Sequence, residues 1–98
     1  MPYRIEYSPD VEDHLRYLTA RQQAIVLDTI DVRLTDQPTV ETRNRKRMVP
    51  NSLALWELRI GSFRAYYDVE ESDRVVYVRA VGIKLRNRVR IGREEINL

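Results

Sequence analysis

Trp56-Glu57-Leu58-Arg59-Ile60-Gly61-Ser62-Phe63-Arg64-Ala65-Tyr66-Tyr67 changes its chemistry at every second residue. Trp56, Leu58 and Ile60 form an apolar set while Glu57 and Arg59 point the opposite way. After Gly61, the residues Phe63, Ala65 and Tyr67, continued by Val69, read as core and leave Arg64, Tyr66 and Asp68 opposite. Such alternation on both sides of a glycine is the pattern of two half-buried strands joined by a turn. A tight turn at Gly61 brings Arg59 and Arg64 close across the hairpin. Two guanidinium groups held together repel unless an anion or a carboxylate sits between them, and Glu57 is the nearest candidate. Two readings follow: a Glu57, Arg59 and Arg64 ion network that stabilises the sheet, or an anion site.

Working outward, residues 2–7 alternate as well, with Tyr3, Ile5 and Tyr7 against Arg4 and Glu6, and predict a first strand. Ser8-Pro9-Asp10 is a helix start: a capping hydroxyl, a proline where its missing N–H costs nothing, and a carboxylate at the positive end of the dipole. Val11, Leu15 and Leu18 then give one apolar stripe. Thr19-Ala20-Arg21-Gln22 fits a capping box, so a second helix begins there, with Leu27, Ile30 and Leu34 facing the core until Pro38 stops it. Residues 37–51 show no periodicity and read as an exposed loop around the basic run Arg43-Asn44-Arg45-Lys46-Arg47. Strand-like segments follow at 53–60, 62–69 and 74–81, with turn signals between them. Short connections imply an antiparallel meander. The tail beyond Gly82 fits helix, strand or coil equally. The expected fold is α+β: strand, helix, helix, strand, strand, strand, with a helical hairpin on one face of the sheet and the other face open.

The whole chain has 98 residues, a length for one domain, 1–98. Its apolar fraction of 43% is too high for a disordered chain. Absence of cysteine excludes a disulfide framework, a thiolate zinc site and a cysteine nucleophile, and suits a reducing cytoplasm. No apolar run has the length of a signal peptide or a membrane span, so no membrane partner is expected. The net charge of +2 conceals an asymmetry: residues 1–42 carry four basic and eight acidic side chains, the remainder thirteen and seven. Fifteen of the basic residues are Arg, suited to bidentate contact with phosphate or carboxylate. A polyanion or an acidic protein partner fits this surface, and so does ordinary solvated charge.

The segment 56–67 resembles the L-R-x-G-x-[YF]-R-x-x-Y signature of the RelE/ParE superfamily, the toxins of bacterial type II toxin–antitoxin systems. Val81-Gly82-Ile83-Lys84 is similar to that family's strand end, where a glycine precedes basic residues. Tyr7-Ser8-Pro9 followed by two helices and Gln37-Pro38 is similar to its N-terminal half, so the resemblance spans the chain. It implies an activity in one of two branches. The RelE branch cleaves messenger RNA in the ribosomal A site; the ParE branch inhibits DNA gyrase. Both imply a cognate antitoxin and a hetero-oligomer with it. A third class, a catalytically silent antitoxin-binding module, uses the same basic groove.

By the same resemblance Arg64 matches the arginine that contacts the scissile phosphate, and Lys84 stands where a second arginine follows the glycine, preserving charge without the fork. The chain departs from the pattern at Leu55 and Glu57, where RelE carries lysines, and at Arg90, where a tyrosine or histidine is expected. The chemistry required is attack of a ribose 2′-OH on the adjacent phosphate, with an anionic transition state to stabilise. The candidate catalytic set is therefore Glu57, Arg59, Arg64 and Lys84, with Glu57 as base and Lys84 or an arginine at the leaving oxygen. Candidate RNA-binding residues are Arg43, Arg45, Lys46 and Arg47 in the loop, Tyr66 as a base-stacking ring, and Arg86, Arg88 and Arg90 in the tail. No metal and no cofactor are implied. His14, the one histidine, reads as a surface or packing residue.

Overall fold

The computed structural model describes residues 2–97. Strand β1 (Arg4–Tyr7) leads into α1 (Pro9–Leu15) and α2 (Ala20–Leu34). The local signals act as expected. The Asp10 N–H donates to Ser8 Oγ at 3.4 Å, with Pro9 in the first helical turn. Thr19 and Gln22 cap one another, Gln22 N–H to Thr19 Oγ1 at 3.1 Å and Thr19 N–H to Gln22 Oε1 at 2.9 Å. Helix α1 stops at Leu15, and Leu18 reaches the core from the turn that follows. Gln23 locks the helical hairpin by donating to the carbonyls of Leu15 and Leu18. In α2 the fully buried positions are Val26, Ile30 and Leu34; Leu27, expected in the core, is only half-buried.

Among the described residues the sheet has seven strands: β2 (Arg45–Arg47), β3 (Trp56–Ile60), β4 (Phe63–Glu70), β5 (Val75–Leu85), β6 (Arg88–Ile91) and β7 (Glu94–Ile96) lie side by side in chain order, and β1 pairs with β5. The strand, helix, helix, strand, strand, strand order is present, extended by three short strands. One is β2, inside the segment 37–51 read from sequence as a loop. Thr42 builds it: its hydroxyl accepts from the N–H groups of Asn44 and Arg45, and its own N–H donates to the Arg45 carbonyl at 2.9 Å. The chain then runs antiparallel to β3 with Lys46 opposite Glu57. The tail forms β6 and β7. The β1–β5 ladder is parallel, Arg4 opposite Val75, so the sheet is mixed rather than wholly antiparallel.

Two cores result. Helices α1 and α2 cover one face through Val11, Val26, Ile30 and Leu34 against Leu58, Ala65, Tyr67 and Val78. Each such large side chain contributes about 1.5–3 kcal/mol by leaving water. Tyr67 also stacks on Trp56 and donates its hydroxyl to the Pro38 carbonyl at 2.6 Å, tying the segment after α2 to the sheet. The second core lies on the face expected to be open. Ala54, Tyr66, Ala80, Val89 and Ile91 pack there, because β5 continues past Gly82 and returns as β6 over that face. A Cβ at Gly82 would stand 2.5 Å from the Arg90 carbonyl oxygen and 2.9 Å from the Val89 and Ile91 side chains, so only glycine admits this return. The open face is thus half closed.

Candidate functional site

The hairpin register sets the site. Gly61, at φ 58°, makes the tight turn that places Arg59 opposite Arg64, and Arg64 in turn lies opposite Gly82 on β5. Two residue pairs further from the turn, Lys46, Glu57 and Tyr66 form a second row across β2, β3 and β4. What remains open beside the β6 return is a groove of about 460 Å³ lined by Lys46, Arg47, Glu57, Arg59, Arg64 and Lys84. Met48, Val49 and Val89 supply its apolar lining. All four candidate catalytic residues therefore meet in one place, with two of the candidate RNA-binding cations beside them.

Five cations face one carboxylate. Arg59 Nε donates to Glu57 Oε1 at 3.1 Å, with the Glu57 side chain 15% exposed and that of Arg59 48%. Among the described residues Arg64 makes no such pair; its Nη1 donates to the carbonyls of Gly61 and Phe63, each at 2.8 Å. Those bonds aim the guanidinium without neutralising it. Arg47 lies over the Trp56 ring, 5.7 Å from its centroid. An excess of fixed positive charge beside a single, partly buried carboxylate suits a phosphodiester with a proton acceptor nearby.

The other candidate residues lie elsewhere. Arg43 is exposed outside the groove lining. Arg45 turns to the helical side and donates to the carbonyls of Val40 and Arg33, a structural tie. Arg86 sits in the β5–β6 turn at φ 55°, Arg88 pairs with Glu95 at 3.5 Å, and Arg90 borders a small cavity beside His14 and Tyr17. Tyr66 is a correction: at 0% exposure its ring lies beneath Val89 and Ile91 and cannot stack on a base. Burial, followed by the nearby Glu57 charge, raises its pKa above the usual phenol value.

Sequence reasoning missed Met48, Val49 and Val89, whose signal, an apolar residue beside each basic run, is weak. It also missed the task of His14. Along one edge of β5, β1 covers Val75 to Val78 and β6 covers Ile83 to Leu85; in the gap the Val81 N–H donates to His14 Nδ1 at 3.3 Å. Among the described residues no group of three or more His, Cys, Asp or Glu could hold a metal ion. Nor is any helix among them long and apolar enough to cross a membrane.

No family model and no curated protein matches the chain. Solved structures do. A chain in the crystal structure of the toxin–antitoxin complex RelBE2 from Mycobacterium tuberculosis has a TM-score of 0.74 at 20% identity, over 86% of this chain and 100% of that one. The fold is RelE-like. A chain of the archaeal RelE–RelB complex from Pyrococcus horikoshii OT3 has a TM-score of 0.69 at 22% identity, over 88% and 99% of the two chains. On this RelE-like frame the β3–β4 hairpin and the end of β5 supply Glu57, Arg59, Arg64 and Lys84 to the groove, and β6 borders it with Val89.

Proposed function

We propose that this chain is the toxin of a type II toxin–antitoxin pair and that its groove cleaves messenger RNA on the ribosome. The observation that carries the reading is the convergence of Glu57, Arg59, Arg64 and Lys84 in one cationic groove on a RelE-like fold. In this reaction Arg64 binds the scissile phosphate and holds the negative charge that grows on it. Glu57 takes the proton of the ribose 2′-OH as the 2′-oxygen bonds to phosphorus. The bond from phosphorus to the 5′-oxygen breaks, and that oxygen takes a proton from the Lys84 ammonium, leaving a 2′,3′-cyclic phosphate and a free 5′-hydroxyl. Lys46 and Arg47 hold the flanking backbone. A cognate antitoxin in the same cytoplasm silences the protein by covering the cationic surface.

The test is inducible expression in bacteria, following incorporation of labelled methionine and labelled thymidine. Methionine incorporation falls first, and Arg64→Ala abolishes the fall. An earlier fall in thymidine incorporation would instead identify a gyrase inhibitor, and accumulation of soluble protein with neither change would identify a silent antitoxin-binding module.

A further inference from the structure

Among the described residues, Tyr66 Oη is the one buried side-chain polar atom without a hydrogen-bond partner. Folded proteins rarely leave such an atom unpaired, since it has lost water and gained nothing in exchange. Tyr66 stands directly opposite Glu57 in the β3–β4 register, and its ring is fixed among Ala54, Ala80, Val89 and Ile91. The Glu57 carboxylate is near enough to act on the phenol through its charge and through a loose side-chain contact that falls short of hydrogen-bond geometry, while its full bond is made to Arg59 at 3.1 Å. The same arginine lines the groove that takes the phosphate.

We infer that Tyr66 is a positioning residue for Glu57: when substrate phosphate draws Arg59 away, the released carboxylate turns to accept the idle Tyr66 hydroxyl, which fixes it toward the 2′-OH. The inference rests on the proposed nuclease activity and adds to it a way in which substrate itself aligns the base. The resting enzyme keeps Glu57 on Arg59; the loaded enzyme keeps it on Tyr66. One unpaired hydroxyl in the free protein is thereby matched by one satisfied carboxylate in the complex.

Tyr66→Phe tests this, because the ring still fills its site and only the loose contact of the hydroxyl with Glu57 is lost. Cleavage of a defined message on programmed ribosomes is measured for both proteins across pH, together with thermal melting. Expected are a melting temperature equal to or above that of the unaltered protein, kcat lowered roughly 10- to 100-fold, the scale of one hydrogen bond to a charged group, an unchanged KM, and an acidic limb of the kcat profile displaced to higher pH. Unchanged kcat in Tyr66→Phe would overturn the inference while leaving the nuclease reading intact. A fall in kcat accompanied by a lower melting temperature and an unmoved acidic limb would overturn it too, by showing a packing role. If the unaltered, folded protein cuts no message on ribosomes, the nuclease reading falls and the Tyr66 assignment with it.

Discussion

Arg59 and Arg64 face one another across the β3–β4 ladder while their guanidinium groups are tied to different partners, Arg59 to the Glu57 carboxylate and Arg64 to two backbone carbonyls. Among the described residues, one of the two charges is therefore matched by a carboxylate and the other is not. Arg64→Ala is expected to lower single-turnover cleavage by about 10²–10³, the usual effect of deleting one transition-state donor. Arg64→Lys restores charge but not the paired carbonyl bonds, and recovers only part of the rate. Circular dichroism melts of both variants check that the hairpin survives.

If the groove takes RNA as proposed, affinity for single-stranded RNA should fall steeply with salt, since its lining is cationic and phosphate contacts displace counter-ions. Each phosphate contact contributes a slope of about −0.7 in log K against log salt for a single strand. Lys46→Ala removes one such contact, and fluorescence anisotropy of a labelled oligonucleotide should show a slope shallower by about that amount.

Stability should weaken on mild acidification through His14. Burial lowers its pKa below the usual 6.5, against the opposing pull of Asp10, Asp13 and Glu94. Between the two values the unfolded chain holds a proton that the folded chain does not, so stability rises with pH in that window and drops as pH falls through it. Protonation also removes the acceptor for the Val81 N–H. His14→Asn keeps an oxygen acceptor without the titration; its melting temperature should fall less than that of the unaltered protein between about pH 7 and pH 5.5.

Gly82→Ala should cost about 1–3 kcal/mol, because the added methyl meets the Arg90 backbone, which cannot yield, as well as the Val89 and Ile91 side chains. A lower urea midpoint at unchanged slope would show it. The same substitution should loosen β6 and the Val89 lining of the groove, so RNA affinity falls as well.

The caps were legible because they are local: Ser8 with Asp10, and Thr19 with Gln22, settle their hydrogen bonds within four residues. So was the grouping of Glu57, Arg59 and Arg64, which follows from alternation and one glycine turn. Strand β2 was not, since Arg45, Lys46 and Arg47 are all charged and show no period; it forms through the Thr42 turn and the ladder to β3. Alternation put Tyr66 on the correct face but was silent about what covers that face, a matter decided by the Gly82 bend far along the chain. The parallel partner of β1 was equally hidden, because periodicity says that a strand exists and not which strand it joins.

The ladder between β1 and β5 unites the start of the chain with a segment made late in synthesis, Arg4 beside Val75. Until the ribosome has released β5, the two helices have no complete sheet to pack against, and Lys84, on the last turn-ward stretch of that strand, has not joined the groove. Folding dominated by such distant contacts is slow and cooperative. A product that stops before residue 75 consequently lacks both the strand that β1 joins and the Lys84 ammonium of the groove.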